Sequence, residues 1–126
     1  MKARYQTPMK PSWFMSRPGF RKFMIREVTA FFVASYLMFL LVWLYQLRQG
    51  DYASMIEVAR SPLSVGFHVV VLLAALYHSI TWFNLTPQIM PVYLGEERVP
   101  GPLVAVATGY GPWLTLTAII VWGVLR

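Results

Sequence analysis

The chain has 126 residues, 57% of them hydrophobic and 13% charged, well below the roughly 25% charge of ordinary soluble domains. A soluble fold this short has too little interior to hide so much apolar surface, so the composition asks for lipid as solvent. Cysteine is absent, which excludes disulfides, thiolate-held zinc and cysteine-bound iron–sulfur clusters. The net charge of +6 is concentrated, with seven of the eleven Lys and Arg residues in the first 26 positions; no basic stripe of the kind nucleic acid requires runs through the chain.

Residues 1–25 carry Lys2, Arg4, Lys10, Arg17, Arg21 and Lys22 among Pro8, Pro11 and Pro18. The prolines forbid one continuous helix across this segment. Trp13, Phe14, Phe20 and Phe23 lie between the cations, a mixture suited to a membrane–water interface. The first apolar run comes too late and is too long for a signal peptide, so the segment is expected to be retained.

Residues 28–47 hold no formal charge. As a helix they span about 30 Å, the thickness of a hydrocarbon core, and residues 26–48 are the first expected transmembrane helix. Gln49-Gly50-Asp51-Tyr52 reads as a turn, opening a loop over 49–62 that contains a short amphipathic helix at 51–60. Ser61-Pro62 starts the second span, since proline is tolerated in a first helical turn. No charge appears over 61–95, and Pro87 and Pro91 place the helix at 63–85. A second loop follows at 86–102, with a polar turn at Gly95-Glu96-Glu97-Arg98. The third span, 103–126, contains Gly109, Gly111 and Pro112, which predict a kink.

The expected fold is therefore all-α, an integral membrane protein with three transmembrane helices. Seven cations precede the uncharged stretch at 28–47, against two, Arg48 and Arg60, between it and the second uncharged stretch and one, Arg98, between the second and the third. The positive-inside bias then puts the N-terminus and second loop in the cytoplasm and the first loop in the periplasm.

Ionisable groups inside a membrane are costly and are functional candidates by default. Glu27, His68 and His78 are such groups. His78 and Trp82 are four residues apart and share a helix face, whereas His68 lies about 15 Å from His78 along the axis and is rotated by roughly 80°. With an ascending first helix and a descending second, Arg26, Glu27, His78 and Trp82 are expected to surround one pocket near the cytoplasmic face. Ala30 and Ala34 on one helix, and Ala74 and Ala75 on the other, leave room for close approach or for a flat ligand. Blander readings exist for each position. Arg26-Glu27 also fits a boundary pair snorkelling to headgroups. Trp82 fits an aromatic-belt anchor, His78 a helix–helix hydrogen bond, and His68 a headgroup contact.

A carboxylate, a guanidinium, an imidazole and an indole at one depth suit a quinone headgroup. The ring needs an aromatic or apolar slot and its oxygens need hydrogen-bond partners. Oxidising a quinol also releases protons, which a titratable neighbour must take. Two histidines at this spacing cannot ligate one metal from a straight helix, so no metal site is expected unless His68 or His78 is an axial haem ligand with its partner elsewhere.

Two blocks then carry a family resemblance. One is Pro8-Met9, Trp13-Phe14, Pro18, Arg21 and Phe23-Met24-Ile25-Arg26-Glu27-Val28-Thr29-Ala30. The other is Leu73-Ala74-Ala75-Leu76-Tyr77-His78-Ser79-Ile80-Thr81-Trp82-Phe83, followed by Pro87. Over roughly residues 5–95 the chain resembles the C-type membrane anchor subunit of bacterial quinol:fumarate reductase. The resemblance implies an anchor in the bacterial inner membrane that pairs with a second three-helix subunit. It would hold an iron–sulfur subunit and a flavoprotein subunit against the cytoplasmic face and bind menaquinone. FAD and iron–sulfur clusters would then belong to the partners alone, with no haem. It also implies quinone contacts at Arg26, Glu27, Ala30, His78 and Trp82. His68 stands where a neutral polar residue is expected, Ile80 where a cation is, and Val28 where a glycine can occur. Two further classes fit the chain less well: a succinate dehydrogenase-type anchor with b haem on His68 or His78, and a non-redox transporter or channel subunit. The second would need a continuous polar path, and the third span offers only Thr108, Tyr110, Thr115 and Thr117.

Overall fold

The computed structural model of the chain describes residues 8–126; the part of the N-terminal segment holding Lys2 and Arg4 lies outside them. A single 3-10 turn, Trp13–Met15, precedes the first long helix, α1 (Pro18–Gln49). Pro18 occupies its first turn, where a missing N–H costs nothing. Neither proline nor glycine occurs over residues 20–49, so nothing stops the helix before Gly50. There φ turns to +77° and the Gly50 N–H closes the end on the Leu47 carbonyl at 3.1 Å. Its 32 residues make a rod of about 48 Å, longer than the roughly 30 Å of hydrocarbon. The helix thus starts at Pro18 rather than at the edge of the apolar run near 26. The cations of residues 18–26 limit where lipid can lie, but they do not interrupt backbone hydrogen bonding.

The first loop contains α2 (Tyr52–Arg60), capped by Asp51, whose Oδ1 accepts from the Ser54 N–H at 3.4 Å. Ser61 ends this helix and begins the next. Its hydroxyl donates to the Val58 carbonyl at 2.8 Å and accepts from the Ser64 N–H at 3.2 Å. The following helix, α3 (Pro62–Ile89), continues through Pro87 to Ile89 instead of stopping near residue 85. Pro87 supplies no N–H to the Phe83 carbonyl. The Arg98 guanidinium donates to the Pro87 carbonyl at 3.3 Å, placing a cation on the helix's final turn.

Arg98 belongs to a small antiparallel hairpin, β1 (Tyr93–Leu94) and β2 (Glu97–Arg98), with Tyr93 opposite Arg98 and Leu94 opposite Glu97. The Val99 N–H to Val92 carbonyl bond, 2.9 Å, closes it. The third long helix is then interrupted: α4 (Gly101–Ala105), a π turn over Val106–Tyr110, and α5 (Gly111–Leu125). The Gly111 N–H reaches the Val106 carbonyl, five residues back. Pro112 accounts for the wide turn, because in a regular helix its ring would collide with the carbonyl four residues before it. The kink expected from Gly109, Gly111 and Pro112 takes this form.

Three helices, Pro18–Gln49, Pro62–Ile89 and Gly101–Leu125, are long and apolar enough to cross a membrane. Their apolar residues are spread around the circumference rather than gathered in one stripe, the pattern of a helix with apolar surroundings on all sides. Hydroxyls along them donate back to carbonyls three or four residues earlier: Thr29 to Arg26, Ser35 to Phe31, Thr81 to Tyr77, Thr86 to Trp82, Thr108 to Val104 and Thr117 to Trp113. Such bonds let a polar side chain sit in hydrocarbon without an external partner.

The chain divides into two compact units within α3, one ending at Val71 and the other comprising Leu72–Arg126. In the second unit, Phe83 packs on Tyr110 and Trp113, with ring centroids 5.0 and 6.0 Å away. The Asn84 amide donates to the Tyr110 hydroxyl at 3.0 Å. Gly109 is buried under Phe83, where an added Cβ would come within 2.6 Å of the ring's Cγ and 3.0 Å of its Cβ. Those atoms are close to the α3 backbone and cannot swing away. Gly109→Ala is therefore expected to cost about 1–3 kcal/mol by overpacking, measured as a lowered thermal midpoint in detergent. Gly123→Ala, where a Cβ meets nothing within 4 Å, should show no such loss.

Candidate functional site

Five positions carry the expected quinone contacts, and they fall in both units. In the first, Arg26, Glu27 and Ala30 lie on α1 at the edge of its uncharged stretch. Arg26 is half-buried, and its guanidinium carbon sits 5.5 Å from the Phe23 ring centroid, a cation–π distance. Its carbonyl accepts the Thr29 hydroxyl at 2.6 Å, which ties the turn after the charged pair to the backbone beneath it. Glu27 is exposed, one position round the helix. Ala30 follows Arg26 by one turn and adds only a methyl group to that face.

In the second unit, His78 and Trp82 stand one turn apart on α3, with ring centroids 6.3 Å apart and planes inclined by 58°. The face they share carries two different polar edges. An imidazole donates or accepts, while an indole N–H only donates. Both rings also present apolar faces, so a flat conjugated ligand finds a wall and hydrogen-bonding groups on the same turn of helix. His78 is half-buried, and the Thr81 hydroxyl is tied to its carbonyl at 3.0 Å and to that of Tyr77 at 2.8 Å.

His68 has a different setting. Its Nδ1 lies 2.7 Å from the Ser64 carbonyl, and since a carbonyl only accepts, Nδ1 carries a proton and donates there. Tyr36, Phe39, Trp43 and Phe67 surround the ring, with centroids 5.5, 5.2, 6.4 and 5.9 Å away. This enclosure differs from the headgroup contact that its position near a helix end invites. The sequence did hold a signal for it: Tyr36, Phe39 and Trp43 recur at three- and four-residue steps on one face of α1. Trp43 also borders an apolar cavity of about 260 Å³ with Leu40, Leu44, Leu47 and Met55. The Asn84–Tyr110 hydrogen bond had no comparable signal, because it joins residues 26 apart. Among the described residues no three His, Asp or Glu side chains gather as metal ligands.

Comparison with known proteins agrees with this architecture. The sequence matches the family of fumarate reductase C subunits over residues 1–125, so the likeness runs through the third span. The chain is similar to the fumarate reductase C subunit of Mycobacterium tuberculosis, 32% identical over 96% of this chain and 97% of the relative. It is also similar to that of Aliivibrio fischeri, 31% identical over 91% and 89%, and to that of Vibrio cholerae, 30% identical over 82% and 83%. With three apolar helices able to span a bilayer and a match across nearly its whole length, the chain belongs to the fumarate reductase C-subunit family and is a membrane-integral anchor.

Proposed function

We propose that this anchor binds menaquinol and supports its oxidation by the fumarate reductase complex in the bacterial inner membrane. The observation that carries the reading is the His78–Trp82 pair, an imidazole and an indole with centroids 6.3 Å apart on one turn of a helix that holds no Asp, Glu, Lys or Arg. An ionisable side chain within a span is costly to place there and marks a candidate site. When bound, the quinone supplies a two-electron, two-proton redox couple.

The chain's own residues handle position and protons. Trp82 walls the ring, and its indole edge can donate to a ring oxygen. His78 hydrogen-bonds a ring oxygen and takes a proton as that oxygen is deprotonated. Glu27 takes the second proton from its exposed place at the edge of the apolar run, where it can pass the proton to water. Arg26 adds positive charge that favours an electron-rich oxygen, and Ala30 leaves room for the ring. The electrons leave through an iron–sulfur subunit to a flavoprotein subunit, where fumarate becomes succinate. A second three-helix subunit would cover further apolar surface of the spans, and the cationic N-terminal segment would face the cytoplasm with those partners. This assignment carries no haem.

Three measurements test the reading. Glu27→Leu and His78→Ala should each lower quinol-coupled fumarate reduction by about tenfold or more while leaving reduction from an artificial donor intact; undiminished quinol activity in both variants would remove the assignment. A periplasmic reporter such as alkaline phosphatase should be active when fused within 49–62 and silent when fused within 95–98, and the reverse pattern would invert the orientation. The absorption spectrum of the purified complex should lack a Soret band; its presence would transfer the role of His68 or His78 to haem ligation.

A further inference from the structure

The rings that join α1 to α3 fix the height of the helix between them. Phe39 of α1 packs on Phe67 and His68 of α3, with centroids 5.6 and 5.2 Å away, and Tyr36 packs on the same two rings at 6.2 and 5.5 Å. Successive spans run in opposite directions, so both helices rise from this layer toward α2. At 1.5 Å per residue, Leu47 stands about 12 Å above Phe39 and Pro62 about 9 Å above His68. The last residue of the first uncharged stretch and the first residue of α3 therefore lie within about 3 Å of one height. α2 (Tyr52–Arg60) joins these two points. As a rod of about 13 Å between ends at one height, it runs across the spans rather than along them.

The two sides of α2 differ. Tyr52, Met55, Ile56 and Ala59 share one side by their three- and four-residue steps, while Ser54 and Glu57 occupy the other. Met55 shows where the apolar side points. It closes the cavity of about 260 Å³ with Leu40, Trp43, Leu44 and Leu47, all of them within the uncharged stretch of α1. That side therefore faces hydrocarbon depth, over a cavity reaching about 10 Å below Leu47. Contact with α1 does not cover it, since Tyr52 stays 58% exposed and Ile56 52%. Arg48 and Arg60 stand beside the two ends of the helix. The Asp51 carboxylate is taken up by Ser54, and Glu57 lies on the side away from the cavity.

We propose that α2 is an in-plane helix seated in the lipid interface of the leaflet that receives the Gly50 end of α1. Tyr52 and Ile56 enter the upper acyl chains, as the apolar face of an interfacial helix does, to about 5–10 Å. Ser54 and Glu57 face water, and the guanidinium groups of Arg48 and Arg60 snorkel to lipid phosphates. Depth and charge together favour lipid over a protein partner. The open residues lie at the edge of the hydrocarbon, with cations at their margins and the one unengaged carboxylate turned away. Seated so, α2 ties the ends of two spans to one membrane surface. The assignment rests on the spans alone and does not depend on where the quinone binds.

Photocrosslinking in the complete complex, kept in its native membrane, identifies what covers the helix. Photoreactive p-benzoylphenylalanine replaces Tyr52, Ile56 or Glu57 one at a time, and mass spectrometry of the irradiated chain identifies the adduct. Positions 52 and 56 should carry phospholipid, and position 57 none. A polypeptide adduct at 52 and 56 would mark α2 as a subunit-docking surface and overturn the proposal. So would the absence of any adduct at those two positions, or an equal yield of lipid adduct at 57. A smaller substitution guards against a disturbed fold. The chain has no cysteine of its own, so Ile56→Cys and Glu57→Cys each add a single thiol. In open membrane fragments a charged maleimide should label Glu57→Cys about tenfold faster than Ile56→Cys, because an apolar setting suppresses the thiolate. Equal rates would mark α2 as a helix standing in water and overturn the proposal as well.

Discussion

The spans of this chain are shaped by the cost of an unpaired polar group in hydrocarbon. Water is unavailable there, so each backbone N–H and carbonyl must find a partner in the protein, and an unmet group costs several kcal/mol. Long helices answer most of that demand. The remaining irregularities can each be traced to it. Hydroxyls from Thr29 to Thr117 return their hydrogen bonds to their own helix. The turn before Pro112 widens to a π geometry. Beyond Pro87, Arg98 donates to that residue's carbonyl at the helix end.

The same cost sorts the ionisable residues. Charged side chains are absent over 28–47, 61–95 and 103–125, and they gather where the helices meet water. α1 extends past its apolar stretch to Pro18, carrying Arg21, Lys22, Arg26 and Glu27 on a rigid rod instead of a loose tail. A rigid basic end suits an anchor, since it fixes orientation and holds charged groups at a set height above the membrane. The short amphipathic α2 follows the other end of α1.

The two histidines show how one residue type meets two different settings on one helix. His68 is fixed through Nδ1 to the Ser64 carbonyl and enclosed by four aromatic rings. Packing and a satisfied hydrogen bond account for its presence. His78 shares its helix face with Trp82, with two polar edges and two ring faces on one turn, which is why the ligand-binding proposal rests there.

Much of this was legible in the residues alone. Apolar runs of membrane length, the cluster of N-terminal cations, the break at Gly50 and the irregularity around Gly109-Tyr110-Gly111-Pro112 all follow from local composition. The four-residue spacing of His78 and Trp82 puts them on one face of any helix. Helix ends were less legible, because hydropathy marks where lipid can lie while hydrogen bonding decides where a helix stops; α1 therefore begins at Pro18 and α3 runs on to Ile89. Only the tertiary structure could enclose His68 within rings from two helices, seat Phe83 over Gly109 and join Asn84 to Tyr110. Those contacts depend on how helices distant in sequence approach one another, a distance and rotation that no local pattern encodes.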